Sequence, residues 1–362
     1  MIPLVKPYLP PREELMPELE KILYSGYIAE GEPVYEFERQ FGKYIGNSNV
    51  LALHSGTDAL HLALLLAGVG KDDEVISTAM TAEPTNVAIT MVGAKVRWAD
   101  VDPNTGLLDP KSVRLSITEN TKAIILVHYA GMVCNMDEFN QISEEFGIPI
   151  IEDAAHALGS KYNGRFVGGN SAYTIFSLQA IKHMTTVDGG FLTFRSGSQL
   201  PRAKRMRWFG LDKGKSRLEN DINETGYKYA MNNVNATIGL VQMKHIEHTI
   251  GKYIGNGKYF DKFLRGIDGI EVPQYYQNTE PSYWLYTMQV DHRENFISHL
   301  QNNGISASPL HYRNDFHSIF NTSKADLPNL DSFYSKLVHI PCGWWVSAED
   351  RERIVEVIKK GW

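Results

Sequence analysis

The sequence predicts an α/β protein whose mostly parallel sheet is covered by helices on both faces. Short apolar runs follow one another in the first half of the chain, and amphipathic segments separate the earlier ones. The runs are 49–55, 74–80, 95–102, 123–129, 149–153, 173–178 and 190–194, and the segments lie near 57–69, 83–93, 110–120 and 135–147. Strands that alternate with helices form crossover units, and strands buried on both faces are continuously apolar. Ligands of such sheets bind in the loops at the carboxyl ends of the strands.

The pattern changes after residue 194 and indicates a second, smaller unit. Residues 201–217 are basic, and a helix is predicted over 233–264. The remainder is typical of a smaller α+β unit that ends in an amphipathic helix over 348–360, while the first 45 residues are proline-rich and then helical. We therefore expect a large domain over 1–245, including the N-terminal segment, and a small C-terminal domain over 246–362.

Composition excludes several classes of protein. The 362 residues are 43% hydrophobic and 22% charged, as in a soluble globular chain, and 36 Lys and Arg against 42 Asp and Glu give a net charge of −6. That balance argues against binding of nucleic acid by bulk charge. Two cysteines, Cys134 and Cys342, rule out a disulfide framework and a cysteine-rich zinc site. The N-terminus lacks the apolar run of a signal peptide, and no stretch is apolar enough for a membrane span. We expect a cytoplasmic enzyme or binding protein without a metal.

The first predicted strand leads into Ser55, Gly56 and Thr57, and a helix follows. Small residues at a strand-to-helix turn let backbone N–H groups face an anion, and the helix N-terminus adds partial positive charge. The alternative is an N-cap without a ligand. The turn is not a P-loop, because the Gly-Lys-Ser/Thr of that motif is missing, and the chain also lacks a GxGxxG element.

Two later loops carry charged side chains. Asp153 ends the fifth run, His156 follows three residues later, and Lys182 lies in a polar loop between the last two runs. We interpret Asp153 as the partner of a cationic ring nitrogen, with His156 in the same pocket; the alternative is a helix-capping Asp beside an incidental His. A lysine attacks carbonyl groups only when neutral, which requires burial or nearby positive charge. The alternative for Lys182 is a solvated surface charge.

Together these loops fit one cofactor. An anion cradle, a carboxylate for a pyridine nitrogen and a lysine for a Schiff base are what pyridoxal 5′-phosphate (PLP) requires. Asp153 would keep the pyridine ring protonated. Lys182 would hold the aldehyde as a Schiff base and, once displaced, would act as a general base.

At these residues the chain resembles the DegT/DnrJ/EryC1/StrS family of sugar aminotransferases, which are fold-type I PLP-dependent transferases. The resemblance covers nearly the whole chain and is carried by residues 55–60, 152–159, Phe176-Ser177 with Lys182, 188–190 and 233–240. It implies a large domain with a seven-stranded sheet and a smaller C-terminal α+β domain. It also implies that Lys182 forms the Schiff base, that Asp153 pairs with the pyridine nitrogen and that His156 lies near the phenolic oxygen. The phosphate would be held by Gly56, Thr57 and Ser177.

The family forms homodimers with active sites at the subunit interface, so a segment like 226–229 would reach the neighbour's phosphate. Lys228 stands where the family usually has an asparagine, and it could contact the phosphate as a point charge or be a solvated loop residue.

The family often stacks an aromatic side chain over the cofactor ring, but the loop here reads Met80-Thr81-Ala82-Glu83. We expect Thr81 or Met80 to cover the ring. Glu83 would face the amine or the sugar, or is simply a carboxylate at a helix start.

The substrate side is less distinctive. Residues 202–217 carry seven cations, which either form a solvated face or contact a substrate diphosphate. Further candidates come from family segments near the nucleotide-sugar, with loop or core packing as the alternative. The substrate-binding candidates are Tyr8, Glu83, Arg207, Trp208, His311 and Tyr312.

The resemblance implies a PLP-dependent aminotransferase in which L-glutamate converts the cofactor to pyridoxamine phosphate (PMP). The amine then passes to a keto carbon, C-4 rather than C-3, of a nucleotide-linked keto-deoxy sugar. One branch of the family replaces the lysine with histidine and is a sugar dehydratase. Both Lys182 and His183 occur here, but the register from Phe176-Ser177 puts Lys182 at the nucleophile position. The alternatives are therefore a PLP-dependent nucleotide-sugar dehydratase and a non-catalytic regulator of the same fold.

Overall fold

The computed structural model describes residues 1–320 and 325–362 and confirms the predicted α/β architecture. The strands are β1 (Val50–Leu53), β2 (Glu74–Ser77), β3 (Lys95–Trp98), β4 (Thr121–Val127), β5 (Ile150–Asp153), β6 (Lys161–Tyr162), β7 (Arg165–Phe166), β8 (Tyr173–Ser177), β9 (Gly190–Phe194), β10 (Ile270–Glu271), β11 (Thr279–Glu280), β12 (Tyr286–Val290) and β13 (Leu337–Ile340). The α-helices are α1 (Arg12–Leu23), α2 (Glu32–Ile45), α3 (Gly56–Leu66), α4 (Glu83–Met91), α5 (Pro110–Ser116), α6 (Met136–Phe146), α7 (Leu200–Met206), α8 (Asn233–Met243), α9 (Ile246–Leu264), α10 (Arg293–Asn302), α11 (Pro328–Lys336) and α12 (Ala348–Lys359).

The large sheet has the strand order β1-β9-β8-β5-β4-β2-β3 within the described residues. Neighbours from β8 to β3 pair in parallel, whereas β9 runs antiparallel to both β8 and β1. The expectation of a mostly parallel sheet is therefore confirmed. Each apolar run overlaps one strand, and several strands end before their runs do, where the chain turns into the loops at the carboxyl edge.

Strand β4 shows why the runs are continuously apolar. Its alternate side chains point to opposite faces of the sheet. Ile124 and Leu126 pack into a core that includes Phe41 of α2. Ala123 and Ile125 pack into a second core that includes much of α3. Both faces are buried, as expected for a parallel sheet between helical layers.

The C-terminal part builds a small antiparallel sheet with the order β10-β12-β13. Its apolar side chains form a further core, in which Phe260 of α9 packs with Tyr286 of β12 and Ile354 of α12. Strand β11 leaves this part of the chain and pairs with β6, which follows the large sheet's strand β5. This pairing brings the segment between β11 and β12 to the carboxyl edge of the large sheet.

The predicted single helix over 233–264 is wrong, because the chain forms two helices, α8 and α9, separated by Lys244 and His245. At the break, the N–H groups of Lys244 and His245 donate to carbonyl oxygens three residues earlier, at 3.2 and 2.9 Å. Such tighter bonds end an α-helix. The His245 imidazole also lies 2.9 Å from Glu14 of α1, which ties the break to the N-terminal segment.

Candidate active site

A cavity of about 360 Å³ lies where β1, β5 and β8 of the large sheet end. It collects most of the residues that the sequence marks as candidates. Those that line it are Gly56, Thr57, Thr81, Glu83, Asp153, His156, Ser177 and Lys182. These residues come from separate loops, and they meet because the carboxyl ends of neighbouring parallel strands share one edge of a sheet.

One end of the cavity is suited to an anion. Ser55 caps α3 through its hydroxyl, which accepts a hydrogen bond from the Asp58 N–H at 3.0 Å. The first N–H groups of a helix have no acceptor within the helix, so those of Gly56 and Thr57 remain for a ligand. The hydroxyl-bearing Ser177 lines the same end. Backbone amides, hydroxyls and the helix dipole together fit a phosphate group.

The strand beside this turn must carry a glycine. A Cβ at Gly190 of β9 would lie 2.6 Å from the Ser55 carbonyl carbon and 2.7 Å from the Gly56 nitrogen. Both are backbone atoms, so a side chain at position 190 would displace the turn itself. The glycine therefore allows the amides of Gly56 and Thr57 to pack against the sheet edge.

Asp153 ends β5 and is buried, with only 3% of its surface exposed. Its Oδ2 accepts a hydrogen bond from the Thr85 hydroxyl at 2.7 Å, and its Oδ1 accepts one from the Ala155 N–H at 3.0 Å. Burial raises the pKa of Asp153, and these two hydrogen bonds oppose that shift. A buried carboxylate aimed at the cavity suits a cationic ring nitrogen, which would supply the missing positive partner.

Lys182 follows β8 in a turn whose backbone N–H donates to the Gln179 carbonyl at 2.9 Å. Burial lowers the pKa of Lys182 from its usual 10.5 to about 8, and the nearby carboxylate of Asp153 opposes the shift. The amine is therefore much more often neutral near physiological pH than an ordinary lysine. This is the state in which a lysine attacks a carbonyl carbon.

His156 lies beside this amine. Its ring stacks on Trp284 with 3.8 Å between centroids and an interplanar angle of 16°. The Ala130 N–H lies 3.4 Å from Nδ1 and donates to it, which assigns the ring hydrogen to Nε2. Burial, with Lys182 as a further cause, moves the pKa of His156 well below its usual value, so the ring is neutral. A neutral imidazole with Nε2–H is a donor suited to a phenolic oxygen.

Some substrate candidates lie away from the cavity, and Arg207 is the clearest case. Its buried guanidinium lies 2.5 Å from Glu30 and 2.8 Å from Glu38, and it donates to the Ala52 carbonyl at 2.9 Å. We expected the Arg207 guanidinium to bind a substrate diphosphate, but these partners already bind it. Next to it, Trp208 has the Lys213 amine 4.0 Å from its ring centroid. The structure therefore supports a packing role for both residues in the single chain.

Tyr8 and Lys228 also lie outside the cavity of their own chain. The Tyr8 ring packs edge-on against Trp344 with 5.2 Å between centroids, and its carbonyl accepts from Gln242 at 2.7 Å. Lys228 is exposed and forms an isolated backbone bridge with Trp208. Of the two residues expected to cover the ring, Thr81 lines the cavity, whereas Met80 packs into the core.

The loop after Ala307 carries the remaining candidates, His311 and Tyr312, and neither is among the residues that line the cavity. His311 runs parallel to His156, with 5.8 Å between ring centroids, and burial lowers the pKa of His311 to about 4. Its Nε2 is buried without a hydrogen-bond partner among the described residues, so it is available to a ligand. Tyr312 is 53% exposed and packs on Phe316.

From the sequence, His183 is either a neighbour of Lys182 in the pocket or a packing residue, and the structure decides between the two. The ring packs against Tyr253 with 4.5 Å between centroids, and Nε2 lies 3.2 Å from the Ser282 carbonyl. Neither contact involves the cavity, and His183 is not among the residues that line it. His183 is therefore a packing residue, and Lys182 alone of this pair reaches the site.

Two residues of the site escaped the sequence analysis. Thr85 contacts Asp153, and its only signal is its spacing four residues after Thr81, which puts both on one side of a helix start. Trp284 holds the amine of Lys182 4.2 Å from its ring centroid and donates from Nε1 to the Ile181 carbonyl at 2.9 Å. Nothing in the local pattern around Trp284 indicates that contact.

Metal and membrane features are absent from the part of the chain that the structure describes. Within residues 1–320 and 325–362, no group of three His, Cys, Asp or Glu side chains could hold a metal ion. Over the same residues, none of the helices combines the length and the apolar character that crossing a bilayer demands.

Comparisons with known proteins agree with this geometry. Residues 11–359 match the profile of the DegT/DnrJ/EryC1/StrS aminotransferase family. The sugar aminotransferase CalS13 from Micromonospora echinospora is 34% identical, with a TM-score of 0.96 over 100% of both chains. The UDP-4-amino-4-deoxy-L-arabinose–oxoglutarate aminotransferase of Shewanella sediminis is 31% identical over 99% of this chain and 97% of its own length. Streptococcus pneumoniae Spr1654, solved in PLP and PMP forms, is 28% identical, with a TM-score of 0.91 over 99% of this chain and 98% of its own.

Proposed function

The chain belongs to the DegT/DnrJ/EryC1/StrS aminotransferase family, and from that premise we propose that it uses PLP to move the amino group of L-glutamate onto a keto sugar. The observation that carries the proposal is the meeting of Lys182, Asp153 and the N-terminus of α3 in one cavity. An amine with a lowered pKa, a buried carboxylate and an anion-binding turn match the aldehyde, the ring nitrogen and the phosphate of one molecule. The bound cofactor would supply an electron sink for the carbon that loses or gains the amine.

The protein's own residues would then have distinct tasks. Gly56, Thr57 and Ser177 would hold the phosphate, and Asp153 would keep a proton on the ring nitrogen. His156 would donate from Nε2 to the phenolic oxygen. Lys182 would bind the aldehyde covalently and, once released, would take and return the proton at the substrate carbon as a neutral amine.

For the acceptor we propose a nucleotide-linked keto-deoxy sugar, with the amine delivered to C-4 rather than C-3. Support comes from the Shewanella sediminis relative, whose name describes a UDP-linked sugar with an amine at C-4 and oxoglutarate as partner. Oxoglutarate is the keto acid that glutamate leaves behind, which supports glutamate as donor. Glu83, which lines the cavity, and His311, whose ring lies beside that of His156, would contact the sugar. Tyr312, exposed beside them, would contact the nucleotide.

We also propose a homodimer in which the two active sites lie at the interface. Exposed apolar side chains are frequent in the first thirty residues, where Tyr24 is 86% and Tyr27 is 80% exposed. The chain around Tyr27 is tied to α8 through a hydrogen bond from Asn233 to its carbonyl at 2.7 Å. A second copy would cover this surface, and Lys228, exposed in its own chain, would then reach the partner's cofactor phosphate. The domains would be 1–245 and 246–362, as expected from the sequence.

Addition of glutamate to the PLP-loaded protein tests the donor half of the reaction. We expect the absorbance of the lysine-bound cofactor to disappear while oxoglutarate forms in equal amount. Borohydride reduction before the glutamate is added should attach the cofactor to the peptide that contains Lys182, and Lys182→Ala should abolish both results. A loaded protein that shows no spectral change with glutamate, or labelling at another peptide, would contradict the proposal.

The product formed from the sugar distinguishes an aminotransferase from the two alternatives, a dehydratase and a non-catalytic regulator. Mass spectrometry of a nucleotide-linked keto sugar incubated with protein and glutamate should show an amine in place of the keto oxygen. Loss of water without an amine would instead indicate the dehydratase. Binding of the sugar without conversion of any keto sugar would indicate a regulator.

A further inference from the structure

Two threonines on one side of the start of α4 form a chain of hydrogen bonds that ends on Asp153. The hydroxyls of Thr81 and Thr85 lie 2.9 Å apart, and the Thr85 hydroxyl lies 2.7 Å from Asp153 Oδ2. All three residues are buried, with 2% of Thr81, 2% of Thr85 and 3% of Asp153 exposed. These bonds are therefore formed away from competing water.

The chemistry of the groups sets the direction of the chain. An ionised carboxylate only accepts hydrogen bonds, so the single hydroxyl hydrogen of Thr85 points to Asp153. The Thr85 oxygen can then only accept from Thr81, which must be the donor of the other bond. Both hydroxyls thus direct their hydrogens towards the negative charge, and chains of this kind polarise one another.

We propose that Thr85 is a positioning residue that holds Asp153 ionised and turned towards the ring nitrogen of the cofactor. This inference rests on the proposed function, because it assigns a task to Asp153 in a PLP site. Thr85 itself need not touch the cofactor. It acts through the carboxylate to which it donates.

The surroundings of Asp153 explain why this hydroxyl matters. Burial raises the pKa of Asp153, and the bond from Thr85 is the largest influence in the opposite direction. The Ala155 N–H donates to the other carboxylate oxygen, and the charges of Lys182 and His128 act in the same direction more weakly. Without Thr85 the carboxylate would keep one hydrogen bond in a buried place, and its neutral form would be favoured.

The backbone around Thr85 is clamped, so the hydroxyl is held in place. Asn86 donates to the Asn314 side chain at 2.8 Å and to the Thr78 carbonyl at 3.0 Å. Asn314 in turn donates from its side chain to the Thr81 carbonyl at 2.8 Å. Threonine is also β-branched and has few side-chain conformations in a helix. The loop that carries His311 therefore braces the turn that supports Asp153.

The substitution Thr85→Val tests the proposal because it removes the hydroxyl and keeps the shape. Thr85→Ser should restore the donor, and Thr90→Val is a matched control on the same helix, since the Thr90 hydroxyl donates to the Val87 carbonyl at 2.7 Å. Two quantities are measured: the PLP dissociation constant by absorbance titration, and the midpoint of the acid limb in the pH profile of the glutamate half-reaction. Far-UV circular dichroism and thermal unfolding of the cofactor-free proteins check that each variant folds.

We expect Thr85→Val to weaken PLP binding by about 10-fold or more, as for the loss of one hydrogen bond to a charged group. The acid limb should move to higher pH, because a carboxylate that loses a donor is protonated more readily. Thr85→Ser should return both values to within about 3-fold of the wild type, and Thr90→Val should leave both unchanged. If valine at this position prevents folding, Thr85→Ala makes the same comparison, with the same expectations.

The outcomes separate this inference from the proposed function. A wild-type protein that never binds PLP would overturn the proposed function and the inference with it. Normal PLP binding in the wild type, with the same affinity and acid limb in the folded Val or Ala variant, would overturn the inference alone. Weakened binding without a change in the acid limb, or no recovery with serine, would also overturn it, since Thr85 would then act only through packing.

Discussion

The amine of Lys182 lies 4.2 Å from the ring centroid of Trp284, and the same indole donates from Nε1 to the carbonyl of Ile181 at 2.9 Å. One side chain from the segment before β12 therefore holds both the amine of the lysine and the backbone next to it. An ammonium group over an indole face is stabilised electrostatically. Burial acts in the opposite direction and dominates, because the pKa of Lys182 is lowered to about 8.

The first prediction concerns the reactivity of this amine. In the cofactor-free protein, acylation of Lys182 should rise as the pH passes through about 8, because the neutral amine is the reactive form and burial disfavours the charged one. Below that pH the amine is protonated and should react slowly. Peptide mapping after short pulses of an acylating reagent measures the profile, with Lys204, which is exposed, followed in the same spectra. A profile of Lys182 centred near 10.5 would contradict the prediction.

The second prediction concerns the indole. Trp284→Leu keeps an apolar environment but removes the ring that favours the ammonium, so the pKa of Lys182 should fall further, by about one unit or less. The acylation profile should move to lower pH by that amount. Trp344→Leu is the matched control, because the amine of a different lysine, Lys6, lies 5.2 Å from the centroid of the Trp344 ring. An unchanged profile in the Trp284 variant would show that the indole does not influence the amine.

The third prediction concerns the turn at the anion end of the cavity. Gly190→Ala should displace Ser55 and Gly56, since its Cβ would lie 2.6 Å from backbone atoms. We expect a loss of about 1–3 kcal/mol in the free energy of unfolding, measured by urea denaturation, together with weaker PLP binding. Gly251→Ala in α9 is the control. Its Cβ would meet no described atom within 4 Å, and alanine should stabilise the helix by about 0.5–1 kcal/mol.

The Gly190 prediction fails if the alanine protein binds PLP as tightly as the wild type and unfolds at the same urea concentration. In that case the turn can shift without loss of stability or of PLP binding, and the cofactor site would not need the close approach of β9 to Ser55.

The fourth prediction concerns Arg207. Arg207→Met removes the guanidinium that pairs with the buried carboxylates of Glu30 and Glu38 and leaves Glu30 with Lys213 and Glu38 with the Ala52 N–H alone, so the free energy of unfolding should fall by about 3 kcal/mol. Lys252→Met, at an exposed position in α9, should change it by less than about 0.5 kcal/mol. Urea unfolding at pH 7 measures both.

Steady-state kinetics of the folded fraction then separates stability from substrate binding. If Arg207 only packs, the KM for the sugar should stay close to that of the wild type. A normal unfolding curve combined with a large increase in that KM would instead favour the contact with a diphosphate that the sequence suggested.

Much of the fold and part of the site could be predicted from the chain itself. Apolar runs separated by amphipathic segments indicate the strands and helices because burial on both faces of a sheet leaves a local pattern. Asp153 and Lys182 could be connected for the same reason, since each follows a strand and the ends of parallel strands meet at one edge. The strand ends were less predictable, because apolar residues continue into the loops that line the cavity.

Other features of the fold depend on contacts between residues far apart in the chain, and a local sequence pattern does not predict them. The break between α8 and α9 shows this, since His245 at the break contacts Glu14, which lies 231 residues earlier in the chain.

By itself, the order of residues determined the α/β architecture, and it predicted the amine, the carboxylate and the anion-binding turn of the proposed site, because all of these follow from patterns within a few residues. Only the tertiary structure decided that Trp284 contacts the amine of Lys182, that the Thr85 hydroxyl donates a hydrogen bond to Asp153 and that Arg207 pairs with Glu30 and Glu38. The physical reason is that burial and hydrogen bonding between distant segments set the charge state and orientation of these groups, and both exist only after the chain has packed.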